Sequence, residues 1–227
     1  MEELENLFKR LNIKPKNTEL YKRAFRHSSY SNEHKGLESY ERLEFLGDAI
    51  VDLVVADYLF ENYKESEGEM SKVRASYVCE DALYEYSIKL GLDKLLKVGH
   101  GETGKDSKTL KASVSDIFES LCAAIYLDLG FATVRRVVLK IVSPYIEKGV
   151  KFFEDYKSAL QEAVQTTKNS VTYELVKEEG PSHDKKFTIN AVIDGIVYGT
   201  GTAKSKKEAE MEAAKEALAK LAVWWYN

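Results

Sequence analysis

The sequence predicts an all-α domain over residues 1–146, followed by a small α+β domain over 155–227 with the element order α-β-β-β-α. The first domain is predicted from apolar residues that recur at the 3.6-residue period of a helix. The second is predicted from three short segments in which apolar and polar residues alternate. The composition changes at "EKGVKFFE", over 147–154, which we interpret as a short linker.

The first domain is predicted to contain five helical segments that end at glycine or proline or run into polar loops. These segments cover 17–30, 41–60, 68–91, 112–130 and 131–146. Gly91 and Gly130 directly follow apolar-periodic runs, as residues that end helices do. The last helix is predicted to stop before Pro144 or to bend there, because proline removes a backbone hydrogen bond. The stretch "GHGETGKDSKTLK", over 99–111, is polar and rich in glycine and is predicted to be a loop.

The second domain is predicted to begin with a helix over 155–168. Three strands follow, over 171–180, 185–195 and 196–203. Asp194 and Gly195 form a dipeptide typical of a tight hairpin turn between the last two strands. The last helix opens with Ser205 and Glu208 at the spacing of a capping box.

Composition excludes several classes of protein. The hydrophobic content of 44% supports a buried core, and no apolar run reaches the length of a membrane span. The start, "MEELENLFKRLNIK", lacks the apolar stretch of a secretory signal. Cys79 and Cys122 form neither a disulfide framework nor a metal-ligand spacing. We therefore expect a reduced, cytoplasmic protein with no membrane contact.

The segment "ERLEFLGDAIVDLVVADYLF", over 41–60, carries a stripe of carboxylates along one side of its predicted helix. At about 100° per residue, Glu44, Asp48 and Asp52 fall within about 60° of Glu41. The apolar residues on the opposite side are predicted to face the core: Leu43, Leu46, Ile50, Leu53 and Val54. Like charges at i,i+4 spacing destabilise a helix. The stripe therefore indicates that a cation binds beside these carboxylates.

A second acidic pair, Asp116 and Glu119, lies on one face of the helix over 112–130. If the two acidic helices pack side by side, these two residues converge with Glu44 and Asp48. Clustered carboxylates without His or Cys suit a hard cation such as Mg²⁺. No Glu-x-x-His motif occurs, which disfavours a di-iron bundle and a zinc hydrolase. The alternative is an ordinary solvated acidic face on each helix.

Phe45 lies about 40° from Glu41 on the helical wheel, beside the acidic stripe and away from the predicted core face. A large aromatic side chain at this position would be exposed in a monomer. It packs either on a loop of its own domain or against a second subunit.

Five motifs, taken in order, resemble the ribonuclease III family. They are "ERLEFLGDAIV", "EGEMSKVRA", "SDIFESLCAAIYLDLG", "DYKSALQEAVQ" and "GTGTAKSKKEAEMEAAKEAL". The first is highly specific, and together they cover nearly the whole chain. The resemblance implies a helical endonuclease domain followed by one double-stranded RNA-binding domain. It also implies a homodimer that cleaves double-stranded RNA with Mg²⁺, for which Mn²⁺ substitutes, and that needs no organic cofactor.

The resemblance also implies roles for individual residues. Four carboxylates match the metal site of the family: Glu44, Asp48, Asp116 and Glu119. Asp48 and Glu119 match the pair named as the catalytic residues. Glu41 and Glu67 match acids that support the site and engage across the dimer, and Phe45 matches an aromatic that inserts into the partner subunit. Asp52 matches no catalytic position and we interpret it as solvated or as a neighbour of the site, whereas His27 matches a structural stretch.

The second domain is near neutral, with ten Lys and eleven Asp or Glu over 155–227, but its basic residues are grouped. Lys204, Lys206 and Lys207 surround the start of the last helix, where backbone N–H groups also favour phosphate. The resemblance implies that the first helix places its polar residues in one minor groove of the RNA: Gln161, Glu162 and Gln165. It implies that the loop at His183 enters the next groove, and that the lysines span the phosphates between. Glu210 stands where many such domains carry a further lysine.

Three functions compete at this point. The first is an endonuclease for double-stranded RNA that leaves 5′-phosphate and 3′-hydroxyl ends with short 3′ overhangs, in ribosomal and messenger RNA processing. The second is a catalytically silent double-stranded RNA-binding protein of the same fold, which should lack one or more of the four metal-site carboxylates. The third is a metal-dependent phosphohydrolase for a small substrate, which the appended RNA-binding domain disfavours.

Overall fold

The structure is a computed structural model that describes residues 2–102, 107–152, 156–165, 169–181 and 185–225. Within these ranges, the side chains of 102, 107–109, 162 and 222–225 are not described. The chain divides into two compact units, Met1–Phe153 and Glu154–Asn227. Along the described part of the chain, no helix is both long and apolar enough to span a membrane.

The first unit is helical, as the sequence predicts. Its helices are α1 (Glu2–Leu11), α2 (Thr18–Arg23), α3 (Ser28–Glu33), α4 (Glu41–Asn62), α5 (Glu67–Tyr77), α6 (Glu80–Leu90), α7 (Ser107–Leu129) and α8 (Phe131–Glu147). Two short 3₁₀ turns, Leu92–Leu95 and His100–Glu102, connect α6 to α7. The apolar faces of α4, α7 and α8 share one core with residues of α1 and α6.

Two of the predicted helices are each broken in two. The predicted helix over 17–30 becomes α2 and α3 because the chain between them pairs with a distant segment. The Lys97 N–H donates to Phe25, and the His27 N–H donates to Lys97. The predicted helix over 68–91 becomes α5 and α6, with Cys79 in an extended conformation between them.

Two further boundaries differ from the prediction. The polar stretch over 99–111 is not a loop throughout, because α7 already begins at Ser107. Helix α8 continues through Pro144 to Glu147, so of the two predicted alternatives the stop before the proline was wrong. A proline inside a helix costs about 3 kcal/mol or more. Burial of the side chains beyond it offsets that cost, since Ile146 contributes about 1.5–3 kcal/mol and Tyr145 also packs against the core. Because Ile146 lies beyond the proline and is buried, continuing the helix is favoured.

The segment after α8 packs on the first unit. The Val150 N–H donates to the carbonyl of Tyr145. The ring of Phe152 contacts the rings of Tyr77, Tyr86 and Tyr145, with centroids 5.2–6.0 Å apart. Part of the segment predicted as a linker is therefore held against the helical core.

The second unit has the predicted order α-β-β-β-α. Its elements are α9 (Tyr156–Gln165), β1 (Val171–Glu179), β2 (Lys186–Ile193), β3 (Ile196–Ala203) and α10 (Lys206–Trp225). The sheet is antiparallel in the order β1-β2-β3. Asp194 and Gly195 both have positive φ angles, as a tight hairpin turn requires. Ser205 accepts a hydrogen bond from the Glu208 N–H at the start of α10, which confirms the predicted cap.

Candidate active site

Helices α4 and α7 touch at Gly47, which has no side chain to keep them apart. A Cβ atom added to Gly47 would lie 1.9 Å from the carbonyl oxygen of Glu119 and 2.3 Å from its carbonyl carbon. Such distances are far below contact, and both atoms belong to the rigid backbone of a helix. The contact brings the stretch around Glu44 and Asp48 next to the stretch around Asp116 and Glu119.

Gly47→Ala is expected to destabilise the protein by about 1–3 kcal/mol or more, because the added methyl group forces the two helices apart. Urea denaturation measures this loss. Gly68→Ala is the matched control, since Gly68 lies in helix α5 with nothing within 4 Å of an added Cβ. Alanine there should stabilise by about 0.5–1 kcal/mol, as it does in open helical positions. Equal stability changes in the two variants would contradict the close contact.

The four predicted metal-site carboxylates lie near enough to one another to interact electrostatically. Burial, and after it the nearby charges of Asp48, Glu44 and Asp116, raise the pKa of Glu119 to about 8. The pKa of Glu44 is raised to about 7 by burial, then by the charges of Asp116, Glu41 and Asp48. Charged carboxylates here repel one another, so a bound cation would relieve a cost that folding imposes.

Asp116 is held by a buried tyrosine that sequence reasoning missed. The hydroxyl of Tyr40 donates a 3.0 Å hydrogen bond to Oδ2 of Asp116. Burial raises the pKa of Asp116, whereas this hydrogen bond and the nearby His27 lower it. The ring of His27 lies edge-on to that of Tyr40, with centroids 5.9 Å apart, and Nδ1 of His27 accepts from the Ser29 N–H at the start of α3. His27 therefore has the structural place that was expected of it.

The donor set fits a hard cation. Every candidate ligand is a carboxylate oxygen, the donor that Mg²⁺ and Mn²⁺ prefer. No group of three or more His, Cys, Asp or Glu side chains among the described residues stands close enough to enclose a metal ion directly. Mg²⁺ sites usually keep several waters and few direct carboxylates.

The three other acids of the prediction lie in different surroundings. Glu41 is exposed, accepts a hydrogen bond from the Ser39 hydroxyl, and is close enough to Glu44 to raise its pKa. Asp52 lies 3.9 Å from the Arg74 guanidinium and also contributes to the raised pKa of Glu119. It is therefore a neighbour of the site and is not simply solvated. Glu67 instead begins helix α5 and lines a groove beside α4.

Phe45 is 83% exposed, so it does not pack on a loop of its own domain. Leu53 is 56% exposed, and its predicted place in the core was wrong. On the helical wheel Leu53 lies about 20° from Phe60 and about 80° from Phe45. Leu53, Phe60 and Met70 line an open groove of about 440 Å³ between α4 and α5. Helix α4 thus presents a projecting aromatic ring and, apart from it, an apolar groove.

The candidate RNA-binding residues lie on both helices of the second unit and on its loops. Gln165 is exposed and Gln161 is half-buried on α9. The side chain of Glu162 and the whole of His183 lie outside the described residues. Three lysines, Lys204, Lys206 and Lys207, are exposed at the start of α10. Lys206 also lies over the ring of Phe187, 5.7 Å from its centroid, which holds its stem against the sheet.

Glu210, the departure from the common lysine, is neutralised within the domain. Its carboxylate lies 2.5 Å from the Lys157 ammonium, which also lies 4.6 Å from the centre of the Tyr173 ring. The negative charge of Glu210 therefore pairs with α9 and is not left facing solvent alone.

The comparisons with protein-family models divide the chain in the same way. A model described as Ribonuclease-III-like matches residues 17–145. A model described as double-stranded RNA binding motif matches residues 156–221.

Relatives of known name match nearly the whole length of this chain. The chain is 47% identical to Ribonuclease 3 of Aster yellows witches'-broom phytoplasma, over 98% of this chain and 93% of that protein. It is 40% identical to Ribonuclease 3 of Listeria monocytogenes, over 97% and 99%. A solved structure of the nuclease domain of ribonuclease III from Campylobacter jejuni, described as having a region involved in dimer formation, is also similar. Its sequence is 33% identical and its TM-score is 0.57. The match covers 62% of this chain and 96% of that chain. This chain belongs to the ribonuclease III family.

Proposed function

We propose that the chain is an endoribonuclease that hydrolyses double-stranded RNA with the help of Mg²⁺. It leaves 5′-phosphate and 3′-hydroxyl ends with short 3′ overhangs. The observation that carries the proposal is the cluster of four carboxylates where α4 touches α7, in a chain that also has a double-stranded RNA-binding domain. The alternative, a silent binding protein, would have no reason to keep four mutually repelling carboxylates at one place.

In this proposal Asp48 and Glu119 are the catalytic residues, and Glu44 and Asp116 complete the metal site. Mg²⁺, when bound, supplies the Lewis acidity that activates water and neutralises charge on the phosphate. The carboxylates would supply the negative charge that binds Mg²⁺. They would also orient the water so that it attacks the phosphorus in line with the leaving 3′ oxygen. Burial of Glu119 and Glu44 strengthens their electrostatic interactions, because the local dielectric is low.

The proposal includes a homodimer in which Phe45 of each subunit enters the apolar groove of the other. The groove has apolar walls from Leu53, Phe60 and Met70, and an exposed phenyl ring is its chemical complement. Glu67, at the edge of the groove, would then lie beside the partner and act in support of the site with Glu41. Two sites related by a twofold axis would cut the two strands at staggered positions, which gives the overhangs.

The second domain would hold the duplex by its shape. Gln161, Glu162 and Gln165 would contact 2′-hydroxyls in one minor groove, and the loop at His183 would enter the next. Lys204, Lys206 and Lys207 would contact the phosphates between. We place the activity in the cytoplasm, in the processing of ribosomal and messenger RNA precursors.

Lys206→Ala combined with Lys207→Ala is expected to weaken duplex binding without moving the cleavage sites, because phosphate contacts carry no base information. The slope of log affinity against log salt should flatten by somewhat under one unit for each lost contact. Affinity across a salt series and the mapped ends of one hairpin test both points.

The matched control for the lysine pair is Lys215→Ala with Lys220→Ala, which removes the same charge from later turns of the same helix. Lys220 pairs with Glu216, and Lys215 lies over the Tyr156 ring. The control should keep the wild-type salt slope. If the Lys206 and Lys207 variant keeps the wild-type salt slope, these two lysines do not contact the phosphates.

The proposed activity is tested by incubating a long RNA duplex with the protein, with and without Mg²⁺, and separating the products on a gel. Cleavage that needs Mg²⁺ and yields 5′-phosphate ends is the expected result. Binding without cleavage would favour the silent protein. Hydrolysis of small phosphate esters without cleavage of the duplex would favour the small-substrate hydrolase.

A further inference from the structure

Tyr40 occupies the junction between the two helices that carry the carboxylates. It is the last residue before α4, and its side chain is only 2% exposed. Its N–H donates to the carbonyl of Arg26 at 2.8 Å, and its carbonyl accepts from the Leu43 N–H at 2.7 Å and the Glu44 N–H at 2.9 Å. The backbone of Tyr40 is therefore fixed by the chain on both sides of it.

The side chain of Tyr40 is equally constrained. Its hydroxyl donates a 3.0 Å hydrogen bond to Asp116 on α7. The backbone carbonyl of Tyr40 also lies 3.5 Å from the hydroxyl of Ser120 on the same helix. The edge-on ring of His27 limits its movement on a further side. A residue at the start of α4 thus reaches across to α7 through a rigid, buried side chain.

A buried tyrosine hydroxyl in this place donates a hydrogen bond whose geometry is restricted by the packing around the ring. The hydrogen bond to Oδ2 restricts the rotation of the Asp116 carboxylate, whose other oxygen, Oδ1, is a further acceptor. Groups that hold a metal-binding carboxylate in this way commonly change metal affinity by about 10–100-fold when they are removed.

We propose that Tyr40 is a positioning residue for the cation site, whose hydroxyl holds the Asp116 carboxylate in the orientation that binds the divalent ion. The inference rests on the metal site proposed above. It assigns Tyr40 no contact with RNA and no part in the chemistry itself.

The test is a calorimetric titration of Mn²⁺ into the RNA-free full-length protein and into Tyr40→Phe. The substitution removes one oxygen atom and keeps the buried ring. The dissociation constant of the variant should rise about 10-fold or more. Its cleavage of duplex RNA should need correspondingly more Mg²⁺ and should return to the wild-type maximal rate when Mg²⁺ is in excess.

Tyr21→Phe is the matched control. Tyr21 is fully buried in the same domain, and its hydroxyl also donates at 3.0 Å to an aspartate Oδ2, that of Asp128. The control therefore removes the same kind of hydrogen bond away from the carboxylate cluster. It should lower the melting temperature and leave Mn²⁺ affinity at the wild-type value.

Three outcomes would overturn the inference. Wild-type Mn²⁺ affinity in Tyr40→Phe would show that the hydroxyl does not act on the site, while the metal site itself would stand. Equal losses of affinity in Tyr40→Phe and Tyr21→Phe would show a general effect on the fold. If the wild-type protein binds no Mn²⁺, both the proposed metal site and the role of Tyr40 are ruled out.

Discussion

Glu119→Gln is expected to bind duplex RNA as the wild type does and to cleave it about 10³-fold more slowly, because a loss of several kcal/mol of transition-state stabilisation corresponds to that factor. Glutamine keeps the size and shape of the side chain but removes its charge. Burial, and after it the charges of Asp48 and Glu44, raise the pKa of Glu119 to about 8, so its environment opposes a free negative charge. Single-turnover cleavage and gel-shift affinity, measured on the same hairpin, separate the two effects.

The control for Glu119→Gln is Glu85→Gln, which makes the same chemical change at an exposed position of α6. The control should cleave at the wild-type rate. A Glu119→Gln variant that cleaves at that rate in Mg²⁺ would contradict the assignment of the metal site. A variant that no longer binds RNA would show instead that Glu119 contributes to binding.

Phe45→Glu is expected to raise the dissociation constant of the dimer by about 10²-fold or more, since an unpaired buried charge costs several kcal/mol and each 1.4 kcal/mol is a factor of ten. The substitution places a carboxylate where the partner offers the apolar groove lined by Leu53, Phe60 and Met70. Light scattering or sedimentation across a concentration series measures the shift toward monomer.

Ile88→Glu is the control for the dimer prediction. Ile88 is 40% exposed on α6, and it does not line the groove between α4 and α5. The control should keep the wild-type balance of monomer and dimer. If Phe45→Glu and the wild type are equally dimeric at micromolar concentration, Phe45 does not hold the subunits together.

Local sequence patterns were sufficient for most of the architecture. The three strands, the Asp194–Gly195 turn and the Ser205 cap all lie where short-range spacing predicts them. The two long helices that carry the carboxylates were also predicted, because each combines one apolar face with one acidic face. These features depend on hydrogen bonds and side chains within a few residues of one another, and such interactions are visible in a single sequence.

The helix boundaries depended on contacts that span long stretches of sequence. The break between α2 and α3 requires the pairing with Lys97, more than sixty residues away by sequence number. The passage of α8 through Pro144 depends on the core that receives Ile146. Leu53 fits an apolar face by its spacing, but only the positions of α4 and α5 show that this part of the face is left open.

The sequence by itself determined the chemistry of the candidate site, since four carboxylates without histidine or cysteine suit a hard cation wherever they meet. Only the tertiary structure decided that the two helices carrying them meet, because Gly47 lets α4 touch the backbone of α7 at Glu119. It also decided which groups surround them. Tyr40 reaches Asp116 across 76 residues, and burial raises the pKa of Glu119 and Glu44. Burial and long-range hydrogen bonds are properties of the packed chain, so no local pattern specifies them.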